Sequence, residues 1–262
     1  MGNRSRRRAL VVVLLAAFTL LAAAASAGAQ KYVALGDSYS SGTGTRQYVD
    51  SGCQRSAYAY PSLIDVQRPN TDLVFAACSG ATTSDVLSSQ VSSLTGDTDI
   101  VTITIGGNDA GFSSVITQCA LPWPWSCSSD LNDAQAFIRG TLPGRLDAVY
   151  AEIARRSPNA TVVVLGYPRL FMGVDCNAGT FFSSDELTRM NQTADLLRDV
   201  TSARAAAAGF SFADAIPSFT GHAVCSSSEW INGLSNPIGE SFHPNRSGHS
   251  SGYAPLVRAI IG

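Results

Sequence analysis

Five short apolar runs constrain this chain more than any other feature. Lys31–Leu35, Asp72–Ala76, Asp99–Ile105 and Thr161–Leu165 are nearly unbroken stretches rich in Val, Ile, Leu and Thr, and Phe210–Ala213 is a weaker fifth. A strand with one face in water alternates apolar and polar side chains. These runs do not alternate, which is the pattern of parallel strands buried on both faces. Between them lie helical patterns. Leu131, Ala134, Ile138, Leu142, Leu146, Val149 and Ile153 recur at three- and four-residue steps, with Gly140 and Pro143-Gly144 dividing the stretch into two helices. Ser183 followed by Glu186 is a capping box opening a long helix through about Ala208, which Gly209 closes. Strand–helix alternation predicts an α/β fold: a three-layer α/β/α sandwich around a central, mainly parallel five-stranded sheet. Such sheets bind ligands at the carboxyl ends of their strands, so functional residues are expected just after the apolar runs.

The first 29 residues have the three-part pattern of a secretory signal peptide. Arg4, Arg6, Arg7 and Arg8 precede the apolar run Ala9–Ala25, and Ala27-Gly28-Ala29 supplies a small-x-small cleavage site before Gln30. Residues 30–262 are then read as a single domain, expected to be secreted and to act as a monomer, with no further membrane segment. Cleavage leaves 14 basic against 20 acidic residues, a net charge of −6. That balance carries no electrostatic footprint for nucleic acid and no basic patch for an anionic membrane. All six cysteines, at 53, 78, 119, 127, 176 and 225, fall in the exported part. An even count in an oxidising compartment reads as three disulfides. Fifteen pairings exist on paper; the sequential one (Cys53–Cys78, Cys119–Cys127, Cys176–Cys225) is the working expectation. No close CxxC or CxxH pair suggests a metal.

Three of the runs end in motifs that could carry chemistry. The first stops at Gly36-Asp37-Ser38, which puts a hydroxyl at the sheet's carboxyl edge. The third stops at Gly106-Gly107-Asn108-Asp109, where the Asn amide could donate to a developing negative charge. The second is followed by Cys78-Ser79-Gly80, whose glycine could offer a backbone N–H to the same anion. Of the three histidines, His243 stands in Phe242-His243-Pro244-Asn245 just before a C-terminal apolar helix beginning near Ser247. Each motif alone has an ordinary alternative, a polar turn or a surface histidine. Asp37 and Asp109 read as braces of their turns. Gly248-His249-Ser250-Ser251-Gly252 imitates the G-x-S-x-G elbow of another hydrolase fold, but no acid or histidine follows it, as that fold requires.

Taken in order, Gly36-Asp37-Ser38, Gly80, Gly106-Gly107-Asn108-Asp109 and Phe242-His243-Pro244-Asn245 resemble the four blocks of the SGNH (GDSL-type) hydrolase family, in particular its secreted actinobacterial lipase, esterase and phospholipase branch. The resemblance spans nearly the whole exported chain and implies a flavodoxin-like sheet. It further implies Ser38 as nucleophile, His243 as general base, and an oxyanion hole made by the Ser38 and Gly80 N–H groups with the Asn108 amide. No cofactor or metal is implied. The family usually places Asp three residues before the histidine; here that position is Glu240. Either Glu240 or, as in some relatives, a backbone carbonyl (here that of Ser241) would orient the imidazole. His249 is expected to be structural.

The expected function is hydrolysis of carboxylic esters, with fatty acyl lipids such as glycerolipids or phospholipids as substrates. Leu121-Pro122-Trp123-Pro124-Trp125 would wall an acyl site, meet a lipid surface or simply pack on the body, and Phe171-Met172 and Phe181-Phe182 would extend the same rim. A carbohydrate O-deacetylase is the alternative enzyme. A catalytically silent secreted binding protein is the alternative of another class, disfavoured because Ser38, Asn108 and His243 are all present.

Overall fold

The computed structural model describes residues 28–262; the expected signal segment, apart from its last two residues, lies outside them. In chain order the elements are β1 (Gln30–Gly36), α1 (Ser38–Ser41), α2 (Tyr60–Gln67), β2 (Thr71–Phe75), α3 (Thr83–Ser88), β3 (Ile100–Thr104), α4 (Phe112–Cys119), α5 (Ser128–Gly140), α6 (Leu142–Arg156), β4 (Thr161–Leu165), α7 (Ser184–Ala207), β5 (Ser211–Ala213), α8 (Ala215–Phe219) and α9 (Ala254–Ile261). All five expected strands form, each within a residue or two of its apolar run. They pair in parallel in the order β2-β1-β3-β4-β5.

This order fixes the layers. The chain moves outward from β1 to β2, then returns past β1 to β3 and continues to β5. Right-handed crossovers then place α2 on one face with α9, and α3, α6 and α7 on the other. The contacts agree: α2 packs on α9, while α3 and α7 both pack on α6. Tyr32 to Leu35 on β1 and Val101 and Ile103 on β3 are fully buried, so these central strands have apolar neighbours above and below. The strand order reverses between β1 and β3, and a crevice opens at their carboxyl ends.

Local signals read from the sequence have their physical counterparts. Ser183 caps α7, with its side chain bonded to the Glu186 N–H and the Glu186 carboxylate bonded back to Ser183, and Gly209 follows at φ 75°. Gly140 ends α5, and Pro143 sits in the first turn of α6, where proline's missing N–H costs nothing. The chain after Ser247 is less regular than a simple helix: Gly248–Tyr253 forms a turn of π-helix before α9. Its glycines serve packing. A Cβ on Gly252 would run into the Phe219 ring, and one on Gly248 into the Trp230 carbonyl. The G-x-S-x-G match is therefore a packing motif in a wide helical turn.

Three disulfides join Cys53–Cys78, Cys119–Cys127 and Cys176–Cys225, closing loops of 25, 8 and 49 residues. Loop-closure entropy assigns them upper values of about 3.5, 2.5 and 4 kcal/mol. Each ties down a loop that leads toward the crevice.

Candidate active site

The site begins with a sharp turn out of β1. Gly36 has φ 120°, and a Cβ there would collide with the Thr104 carbonyl of the adjacent strand, so only glycine lets β1 and β3 approach so closely. The buried Gln90 amide clamps this point, accepting from Gly36 N at 2.7 Å and donating to Gly36 O at 2.9 Å. Asp37 then caps α1. Its carboxylate accepts from the Tyr39 N–H, the Thr104 hydroxyl and the Tyr167 hydroxyl. Burial pushes the Asp37 pKa up to about 6 against the opposing pull of these donors. Asp37 braces the turn, as its sequence context suggested, and Ser38 emerges from it at the start of α1.

His243 reaches this serine from the other end of the chain. Its Nε2 lies 2.9 Å from Ser38 Oγ and its Nδ1 lies 2.9 Å from Ser241 O. A carbonyl can only accept, so Nδ1 carries the ring proton and the Nε2 lone pair faces the serine hydroxyl. Burial pulls the His243 pKa down to about 4, with the Ser241 carbonyl acting in the other direction. The ring is therefore neutral at ordinary pH.

Of the two groups expected at Nδ1, the geometry brings the Ser241 carbonyl and not the Glu240 carboxylate. Glu240 ends a short 3₁₀ turn, and its side chain is directed to the 44–48 loop. Oε1 accepts from the Tyr48 hydroxyl at 2.5 Å, and Oε2 lies 3.5 Å from Arg46 Nε. The carboxylate is buried and holds the loop, with no hydrogen bond to His243 among the described residues.

The histidine loop is held in a strained conformation by hydrogen bonds and aromatic packing. Phe242 has φ 59°, a left-handed conformation that is costly for a bulky residue. Its carbonyl accepts from the Tyr39 hydroxyl at 2.8 Å and its N–H donates to Asn232 O at 2.9 Å. Its ring packs against Phe171 and Phe182, with centroids 5.6 and 5.9 Å away. Phe171 and Phe182 thus belong to the core. Of the four residues expected on an apolar rim, only Met172 and Phe181 are exposed, because Phe171 and Phe182, at the two ends of the loop, turn inward onto Phe242.

The donor candidates stand after the neighbouring strands. Asn108 follows β3 and lines the same crevice as Ser38 and His243. Its Nδ2 donates to Ala81 O at 2.9 Å, which engages one amide hydrogen and ties the β3 turn to the β2 turn. Gly80 lies at the exposed bend of that second turn with φ 82°, where a Cβ would meet nothing within 4 Å; conformation, not crowding, asks for glycine there. The turn is held beside Ser38 by Cys78 N to Gly36 O (3.0 Å), Thr43 Oγ1 to Ser79 Oγ (2.9 Å) and the Cys53–Cys78 disulfide. Among the described residues, the Ser38 and Gly80 N–H groups have no protein acceptor. Asp109 accepts from Thr83 N and Oγ1 and pairs with Arg145 at 3.1 Å, a brace between loops as expected.

Tyr39 and Tyr167 were not singled out in the sequence. Tyr167 follows β4 as the others follow their strands, so the strand-end rule itself points to it. It bonds Asp37, accepts from the Gly107 N–H at 3.3 Å and packs edge-on against Tyr39 at 5.0 Å. His249 is fully buried, accepts from Tyr60 N at 3.3 Å and is pulled down to about 3 by desolvation. His222 stacks on Trp230, away from the crevice.

From the serine the crevice widens into a cavity of about 510 Å³, walled by Phe112, Ile116 and Leu121 on one side and Leu170, Ala194 and Leu197 on another. The lining is mainly apolar, with Ser113, Thr117 and Thr180 as polar side chains besides those around Ser38. Such a space suits an acyl chain whose carbonyl rests against Ser38. Among the described residues, only Cys119, Cys127 and Glu186 cluster as metal ligands would, and both sulfurs are taken up in a disulfide.

Comparison with known proteins identifies the family. Residues 34–250 match the GDSL-like Lipase/Acylhydrolase family. Lipase 1 of Streptomyces coelicolor is 46% identical over 235 residues, covering 88% of this chain and 87% of the relative. The crystal structure of an extracellular lipase from Streptomyces rimosus superposes with a TM-score of 0.84 at 44% identity, covering 88% of this chain and all of that one. A phospholipase A1 from Streptomyces albidoflavus gives 0.83 at 44% identity, with 89% and 100% covered. The match extends along the chain from within β1 to the π-helical turn beyond the histidine loop, and on that ground the chain belongs to the GDSL-like lipase/acylhydrolase family, as a carboxylic ester hydrolase.

Proposed function

We propose that the protein is an exported, monomeric lipase-type esterase that cleaves fatty acyl esters, glycerolipids or phospholipids among them, through an acyl-enzyme on Ser38. The observation that carries this reading is the line Ser241 O, His243 Nδ1, His243 Nε2, Ser38 Oγ, with 2.9 Å at each hydrogen bond, opening into an apolar cavity. Ser38 Oγ attacks the ester carbonyl carbon while Nε2 takes its proton. The Ser241 carbonyl keeps the ring in the tautomer that can do so. The carbonyl oxygen becomes an oxyanion, which the Ser38 and Gly80 N–H groups and the second Asn108 amide hydrogen would hold. Collapse expels the alcohol, which receives the proton from His243. Water then repeats the sequence on the acyl-enzyme and releases the fatty acid.

The apolar wall argues for acyl chains longer than acetate. A sugar deacetylase would need polar groups along the cleft to pair with hydroxyls, since a buried hydroxyl left unpaired costs about 1–3 kcal/mol. Hydrolysis of p-nitrophenyl esters from acetate to palmitate, with Ser38→Ala run alongside, tests the proposal. Turnover of medium and long chains that vanishes in Ser38→Ala is expected. Turnover of acetate alone would select the deacetylase, and wild-type rates in Ser38→Ala would remove the mechanism. Export predicts that the protein recovered from the medium begins at Gln30 on N-terminal sequencing.

A further inference from the structure

We propose that the mouth of the cavity is a docking face for an uncharged or zwitterionic lipid surface. Three loops surround the mouth and touch one another. The Cys119–Cys127 loop meets the 171–182 loop where Phe181 N donates to Ala120 O at 3.2 Å. The 171–182 loop meets the 231–241 loop where Leu234 N donates to Asn177 Oδ1 at 3.0 Å. Together they expose Leu121, Trp123, Trp125, Phe181, Leu234 and Ile238. Leu121, Leu234 and Ile238 also line the cavity, so the apolar surface outside is continuous with the apolar wall inside. Trp123 is 91% exposed and Ile238 75%, which no packing requirement of a monomer explains.

Charge identifies the occupant. The three loops contain two ionisable side chains, Asp175 and Glu240, and no Lys or Arg. Asp175 is turned inward, accepting from the Thr180 hydroxyl and the Phe182 N–H. Glu240 is buried against Tyr48 and Arg46. Arg46, which reaches the third loop at Ser235, is paired with Glu240. A face with no cation of its own and one neutralised neighbour, on a chain of net −6 after export, offers little to anionic headgroups, which recruit proteins through clusters of Lys and Arg. It suits a surface that offers apolar area and no net charge, where amphipathic tryptophans settle at the headgroup boundary. The two tryptophans lie on a loop closed by a disulfide of only eight residues' separation, so little ordering entropy is lost when they insert.

This inference rests on the acyl-ester reading, and the experiment separates the two. The mature protein carrying Ser38→Ala, which leaves vesicles intact, is sedimented with phosphatidylcholine vesicles, with and without Trp123→Ser/Trp125→Ser. Binding that is indifferent to salt, with a blue shift of tryptophan emission, is expected. The double substitution should weaken binding by about tenfold or more. In proteins retaining Ser38, the double substitution should leave the rate on a soluble short-chain ester unchanged and lower the rate on a long-chain emulsion. Neither tryptophan lines the cavity. Absence of vesicle binding, equal binding by the double variant, or binding confined to anionic vesicles and abolished by salt would each overturn the proposal. So would a dimer in sedimentation that dissociates in the double variant, because a second copy would then be the occupant. Failure of the parent on the soluble ester would instead overturn the acyl-ester reading.

Discussion

The sheet edge and the mouth of the cleft are built on different terms. At the edge, the turns after β1 and β3 leave buried strands and match most of their polar groups: Gly36 by Gln90, Asp37 by Tyr39, Thr104 and Tyr167, and Asn108 by Ala81. At the mouth, three longer loops carry exposed apolar side chains and are tied by two disulfides and a few backbone bonds. The edge fixes atoms to within a hydrogen bond, and the mouth presents area. A serine nucleophile needs the first kind of construction, whereas an oily substrate that varies in length and headgroup is better met by the second.

That contrast can be broken or sharpened by substitution. The largest effect is expected at the edge: His243→Ala should lower kcat by at least about ten-thousand-fold, with melting temperature little changed. Asn108→Ala should cost about 10²–10³ in kcat with KM preserved; a loss confined to KM would mean that the amide binds substrate rather than the oxyanion. Acidification comes next. The base must be neutral to accept a proton, and the His243 pKa is pulled down to about 4 by burial, below its ordinary value of 6.5. Activity at pH 5 should therefore persist, where an unshifted histidine would retain about one part in thirty. A limb near 6 in the kcat/KM profile would instead report Asp37, whose pKa is raised to about 6. The smallest effect is expected from Glu240→Gln. It keeps the bond from Tyr48 and should change kcat by less than about threefold; a large loss of kcat would restore the carboxylate to the catalytic relay.

The strands were legible because a doubly buried strand needs an unbroken apolar run, and Ser38, Asn108 and His243 because such sheets expose function at strand ends or in adjoining loops. The same rule reaches Tyr167 after β4. The fate of Glu240 was not legible. Its direction is decided by Tyr48 and Arg46, nearly two hundred residues away in the chain, and sequence spacing near the histidine carries no record of them. Phe171 and Phe182 were misplaced on the rim for a related reason: in an irregular loop no period says which of two adjacent apolar residues turns inward. The disulfide pairing also depends on which loops meet in space, and spacing alone left it open.

The hydrogen bond between Ser38 and His243 joins residues 205 positions apart. Its consequence is temporal. A ribosome or an export channel releases this chain from the nucleophile end first, and the imidazole is among the last parts to appear. Until residue 243 has docked, the emerging polypeptide carries a serine with no base beside it. On the proposed mechanism, hydrolytic competence is acquired in one late step, and a product cut short anywhere before the histidine loop is expected to be inert.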